Sequence, residues 1–143
     1  MKKTFCLYLI FIFFASSAIA QNKAESLPME TNIPYGKLAF VEKTYNFGKI
    51  RKGEKITTSF FYKNTGSKPV TILQVQTSCG CTVTTWEKKP IQVGKTGEIS
   101  VTFDSAEKSD LIGQQTKTIL VISDATNKEE KLTLSGEVEK VGN

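Results

Sequence analysis

From Lys37 to the C-terminus, apolar side chains recur at every second residue, and this period constrains the fold more than any other feature of the chain. Ile56, Thr58, Phe60 and Tyr62 fall on one side of an extended backbone, with Lys55, Thr57, Ser59 and Lys63 on the other. Ile99, Val101 and Phe103 alternate with Glu98, Ser100, Thr102 and Asp104, and Leu132, Leu134 and Val138 with Lys131, Thr133, Glu137 and Glu139. Successive side chains of a strand point to opposite faces, so this alternation predicts strands with one dry face and one wet face. Phe61 breaks the second pattern and is a candidate for covering a sheet edge or touching a partner.

Turn-forming clusters separate the runs at Arg51-Lys52-Gly53-Glu54, Asn64-Thr65-Gly66-Ser67-Lys68-Pro69, Val93-Gly94-Lys95-Thr96-Gly97 and Asp124-Ala125-Thr126-Asn127-Lys128. No window carries a capped apolar stripe of about twelve residues, the length a stable helix asks for. The pattern predicts seven or eight strands near 37–41, 44–50, 54–63, 69–76, 80–85, 97–104, 114–123 and 130–139. Short strands at this spacing fit an all-β, immunoglobulin-like antiparallel β-sandwich, with a closed barrel as the alternative. Ile119 to Ile122 is apolar throughout, as a central strand requires. Val70 and Ile72 are apolar at even positions, but Leu73, Val75, Thr77, Cys79 and Cys81 continue an odd series. That change of parity predicts a bulge or bend near residues 72–74.

The N-terminus reads differently. Lys2 and Lys3 precede an unbroken apolar run from Phe5 to Ala15, followed by Ser16-Ser17-Ala18-Ile19-Ala20. This three-part pattern is that of a signal peptide over residues 1–20, cleaved between Ala20 and Gln21. The run is shorter than the roughly 20 apolar residues that span a bilayer, and no later stretch is long enough, so no membrane span is expected after cleavage. Residues 21–35, polar and carrying Pro28 and Pro34, read as a leader to a sandwich domain over 36–143. The expected location is therefore the periplasm or the exterior of the cell.

Composition narrows the chemistry. Histidine is absent, which removes every Ser-His, Cys-His and His-metal arrangement. Without Lys2 and Lys3 the chain has 17 basic against 14 acidic side chains, a net charge of +3, and Arg51 is the sole arginine. Lysines scattered among carboxylates describe a solvated surface rather than a nucleic-acid reader, which leans on arginine. Asp104, Asp110, Asp124 and Glu129-Glu130 fall at strand ends or turns with no base or nucleophile beside them. No glycine-rich loop leads from a strand into a helix to cradle a phosphate. The chain is therefore expected not to be an enzyme and to need no cofactor.

One chemically unusual spot remains, Cys79-Gly80-Cys81. In an extended backbone these two cysteines share a face with their Cβ atoms too far apart to bond, so a bridge requires the chain to fold back. Gly80 is expected to allow that turn. Four readings stay open: an intrachain bridge, a soft-metal site such as Cu(I), two buried free thiols, and an intermolecular bridge. Zinc is disfavoured, because it wants four ligands and neither a histidine nor a second cysteine pair is present. Trp86, which ends the strand after the cysteines, reads either as a sugar-stacking platform or as a packing residue.

The residues so assembled resemble a known family. Tyr45-Asn46-Phe47-Gly48-Lys49-Ile50, Gly53, Phe60 with Asn64-Thr65-Gly66, Thr77-Ser78-Cys79-Gly80-Cys81-Thr82, Pro90-Ile91 with Gly94, and Leu132-Ser135-Gly136 with Val138 together resemble the exported bacterial family known as domain of unknown function fifteen-seventy-three. The Asn-Thr-Gly turn followed by Ser-Cys-Gly-Cys-Thr is the specific part, and Val93 stands where the family usually has proline before Gly94. The resemblance implies an immunoglobulin-like sandwich similar to Hydin-type and major-sperm-protein-type domains, which often serve as interaction modules. It implies no particular activity. Two functions are thus carried forward: a non-catalytic binding or structural module with a protein or cell-envelope partner, and a thiol-based activity, either soft-metal (copper) binding or disulfide exchange, at Cys79 and Cys81.

Overall fold

The computed structural model describes residues Tyr35 to Gly142, so the expected signal segment, its expected Ala20–Gln21 cleavage point and the expected leader up to Pro34 lie outside the described residues. Eight strands form: β1 (Leu38–Phe40), β2 (Thr44–Arg51), β3 (Lys55–Asn64), β4 (Ile72–Thr77), β5 (Thr82–Trp86), β6 (Thr96–Asp104), β7 (Gly113–Ser123) and β8 (Glu129–Glu139). They make two four-stranded sheets, ordered β1-β3-β6-β5 and β2-β8-β7-β4. The chain changes sheet at every connection except β5–β6 and β7–β8. Among the described residues no helix is long and apolar enough to cross a membrane.

The alternation sets which faces meet. Phe60, Tyr62, Ile99, Val101 and Phe103 of the first sheet bury against Ile72, Ile119, Val121, Leu132, Leu134 and Val138 of the second. β7, home of the continuous apolar run, lies between β8 and β4 as a central strand. One pair departs from the expected antiparallel pattern: β2 runs parallel to β8. The chain leaves the first sheet after β1 through Val41–Lys43 and enters the second beside a strand some ninety residues later in sequence, a pairing that no local period encodes.

Two irregularities redirect side chains. In β4, Ile72 pairs with Ser123 and Gln74 with Ile122, so Leu73 is the extra residue of a bulge at the predicted place. Leu73 points out to solvent, and Val75 and Thr77 take over the inward series. In β2 the register slips between Asn46 and Lys49, around Gly48 with its φ of 70°. The slip seats Phe47 in the interior, stacked on Phe103 at 5.5 Å and lying over the backbone of Gly136.

Candidate functional site: the cysteine crossover and the open edge of β3

The segment Ser78–Cys81 carries the chain from β4, at the edge of one sheet, to β5, at the edge of the other. A turn forms here because the Thr82 N–H bonds the Cys79 carbonyl (3.4 Å) while the Thr77 hydroxyl donates to the carbonyls of Cys79 (3.0 Å) and Thr82 (3.3 Å). The Asp104 N–H bonds the Cys81 carbonyl at 2.9 Å and ties the turn to β6. The chain folds back enough to bring the two Cα atoms to 5.3 Å and the two sulfurs to bonding distance, 2.00 Å. Gly80 lies at the apex of this turn, but its backbone is not in the left-handed region, and a Cβ added there would meet nothing within 4 Å. The conformational licence expected of Gly80 is therefore not what closes the pair; the threonine and backbone bonds on either side do that.

The two sulfurs differ in access. Cys81 is 1% exposed and part of the core, whereas Cys79 is only partly buried, with its sulfur 3.6 Å from the Thr82 hydroxyl. Bonded to each other, they offer no thiolate to a soft metal. Among the described residues no group of three or more His, Cys, Asp or Glu side chains is placed to hold a metal ion.

Sequence reasoning missed a cation that the fold brings close to this turn. Thr77 pairs with Ile119, and Ser78 bonds Thr118 through its N–H (2.9 Å) and its hydroxyl oxygen (3.1 Å). Cys79 and Lys117 are the next residues beyond this Ser78–Thr118 link on the two segments. Lys117 belongs to the inward series Gln115, Lys117, Ile119, Val121, and its ammonium lies 5.6 Å from the centre of the Phe103 ring and 3.0 Å from Gln115 Oε1. Burial lowers its pKa, the neighbouring Lys108 lowers it further, and Asp110 opposes them. The signal was a lysine on the dry side of a strand, visible by parity, but its neighbour in β4 was not.

Trp86 and Phe61 do not join this site or each other. Trp86 packs against the core, donates its indole N–H to the Ile72 carbonyl (3.4 Å), and has the Lys88 ammonium 3.0 Å from its ring centre. That leaves it a packing residue with one face occupied. Phe61, 55% exposed, sits at the opposite edge of the same sheet. There it lines a groove with Val41, Tyr45, Thr58 and Ser59, so three of the molecule's exposed large apolar side chains gather in one place. β1 covers only Tyr62 to Asn64 of β3, and one further bond runs from the Val41 N–H to the Phe61 carbonyl at 3.0 Å. By the period of two, the N–H and C=O groups of Ser59 and Thr57 point the same way as those of Phe61, and among the described residues no strand meets them.

Two sheets packed face to face, with strand crossovers at their edges, define an immunoglobulin-like β-sandwich. The chain belongs to the family described as Protein of unknown function (DUF1573), whose model matches residues 38–138. No curated protein matches it. Among solved structures it is similar to a protein of unknown function from Porphyromonas gingivalis W83, at 15% identity and a TM-score of 0.65, covering 73% of this chain and 47% of that one. This chain thus spans about half the length of that protein. It is also similar to PapD-like domain 7 of human CEP192 (13% identity, TM-score 0.61, 76% and 89% covered). A third likeness is to the CsuC–CsuE chaperone–tip adhesion subunit pre-assembly complex of Acinetobacter baumannii (15% identity, TM-score 0.52, 74% and 54% covered). These likenesses establish the fold.

Proposed function

We propose that the protein is an exported, non-catalytic binding module that holds an extended segment of a partner protein along the open edge of β3. The observation that carries this reading is the coincidence of unpaired strand-edge groups at Thr57 and Ser59 with the apolar groove of Val41, Tyr45 and Phe61. An added strand satisfies its main-chain groups on such an edge and sets alternate side chains into the flanking groove. A sandwich of similar fold occurs in a chaperone–subunit complex, which supports a polypeptide as the partner. Export rests on the pattern of residues 1–20.

The test is a photo-crosslinking amino acid at position 61 in cells that export the protein, with position 73, exposed on the bulge of β4, as control. Position 61 is expected to give a discrete protein adduct and position 73 none. Ser59→Pro removes an N–H that points away from β6, so the β3–β6 ladder survives and the adduct disappears. An adduct that persists in Ser59→Pro, or none at position 61, overturns the strand-edge reading. Retention of the protein in the cytoplasm overturns the export reading.

A further inference from the structure

We propose that the crossover is a thiol–disulfide exchange site for a cysteine pair of a second polypeptide, with Cys79 as the outward sulfur, Cys81 as the inward one, and Lys117 as the cation that holds Cys79 as a thiolate. This stands apart from the strand-edge reading: β3's open side and the β4–β5 crossover lie at opposite edges of the sandwich.

Access decides the order of events. An incoming thiolate reaches Cys79 and not the core-buried Cys81. It bonds to the Cys79 sulfur as the Cys79–Cys81 bond breaks, and the electron pair goes to the Cys81 sulfur, which takes up a proton. The second thiol of the same polypeptide, deprotonated, then attacks its neighbour's sulfur in the mixed disulfide, and Cys79 leaves as a thiolate. The substrate dithiol has lost two electrons and two protons; the cysteine pair has gained both electrons and, at Cys81, one proton, and the other proton passes to solvent. The reverse course uses the Cys79 thiolate as nucleophile and Cys81 as the resolving thiol.

A cation beside a cysteine favours its thiolate, both as leaving group and as nucleophile. Three observations place Lys117 close to the turn in the fold. Ser78, next to Cys79, is bonded to Thr118, next to Lys117; the Lys117 ammonium lies 5.6 Å from the Phe103 ring centre; and Phe103 pairs with Thr82 next to Cys81. The other charged groups around the turn act through Lys117 or face away. Lys108 and Asp110, from the β6–β7 connection, act on the Lys117 ammonium with opposite sign. Asp104, next to Phe103 in β6, has its carboxylate held by Lys55 at 2.8 Å.

The test begins with the purified protein reduced by dithiothreitol and alkylated with iodoacetamide across pH 5 to 10, the modified residue being located by mass. Cys79 is expected to react first, with a pKa below the roughly 8.5 of a free thiol. Lys117→Met is expected to raise that pKa by about one unit. Because nucleophilicity rises with pKa, the net effect at pH 7 is a rate about threefold lower. Lys117→Arg keeps the charge and is expected to restore the wild-type profile, and Lys88→Met to leave it unchanged. In a second arm, reduced Cys81→Ser is incubated with glutathione disulfide and is expected to retain a mixed disulfide at Cys79. Cys81 reacting first, a Cys79 pKa at or above that of a free thiol, or equal profiles for the wild type and a folded Lys117→Met overturns the proposal. If Lys117→Met fails to unfold cooperatively, the wild-type pKa and the Cys81→Ser adduct decide alone.

Discussion

At the scale of single residues, the motif positions divide into those that pack and those that turn. Asn64 is fully buried and spends its whole side chain: its amide donates to the carbonyls of Lys68 (2.8 Å) and Ile91 (2.9 Å), and its oxygen accepts from the Gly66 N–H (3.0 Å). It pins the end of β3 to the following loop and to the segment before β6. The Tyr62 hydroxyl, by contrast, is the buried side-chain polar atom that lacks a partner among the described residues, lying where a Cβ on Gly97 would stand. Glycines separate in the same way. A Cβ on Gly136 would sit 2.3 Å from the Phe47 ring, whereas one on Gly80 meets nothing. Gly136→Ala is therefore expected to cost about 1–3 kcal/mol through displacement of Phe47. Gly80→Ala should stay within about 0.5 kcal/mol of the wild type. Urea unfolding of the two variants side by side checks both values, and equal losses would contradict the packing account.

At the scale of elements, the two irregular strands re-aim side chains and the regular ones hold the register. The bulge at Leu73 hands the inward series from Ile72 to Val75 and Thr77 just before the cysteine turn. Across β3 and β6, Lys55 and Asp104 are paired in register and their side chains meet at 2.8 Å. The Lys55 hydrogen bond, helped by the Ala106 N–H, holds the Asp104 carboxyl below the ordinary aspartate pKa. A group with a lowered folded-state pKa binds its proton less readily when folded. Its contribution is therefore fully present above the unfolded-state value of about 3.9 and is lost as pH falls through the folded-state value. Asp104→Asn should lower stability at neutral pH by a small amount and flatten the acid limb of the stability curve. Midpoints of denaturation between pH 2 and 7 check this, and parallel curves for variant and wild type would rule it out.

At the scale of the whole molecule, the order of strands governs how the chain assembles. β8, the last strand, lies between β2 and β7, so the second sheet cannot close until the C-terminal segment arrives. Loop closure over such distances is paid before the contacts return anything, which makes folding slow for the chain length. A chain lacking residues 129–143 should show no cooperative unfolding transition and no dispersed amide spectrum, because among the described residues β2 loses its only neighbour and β7 one of its two. A folded, cooperative truncated form would mean that the first sheet and β4–β7 hold a core without β8.

The eight strands, their limits to within about three residues, the bulge near Leu73 and the buried series of β3, β6 and β8 were all readable from the sequence. They were readable because side-chain period, turn chemistry and parity are local properties of an extended backbone. The partners of those strands were not. The parallel seat of β2, the bond of Ser78 to Thr118 beside Lys117, the exposure of β3's edge beside Phe61 and the packing of Phe47 on Gly136 all join residues tens of positions apart. Alternation states which face of a strand is dry but carries no information about which other strand lies against it. That choice is made by the mutual burial of two sheets, and only the assembled sandwich contains it.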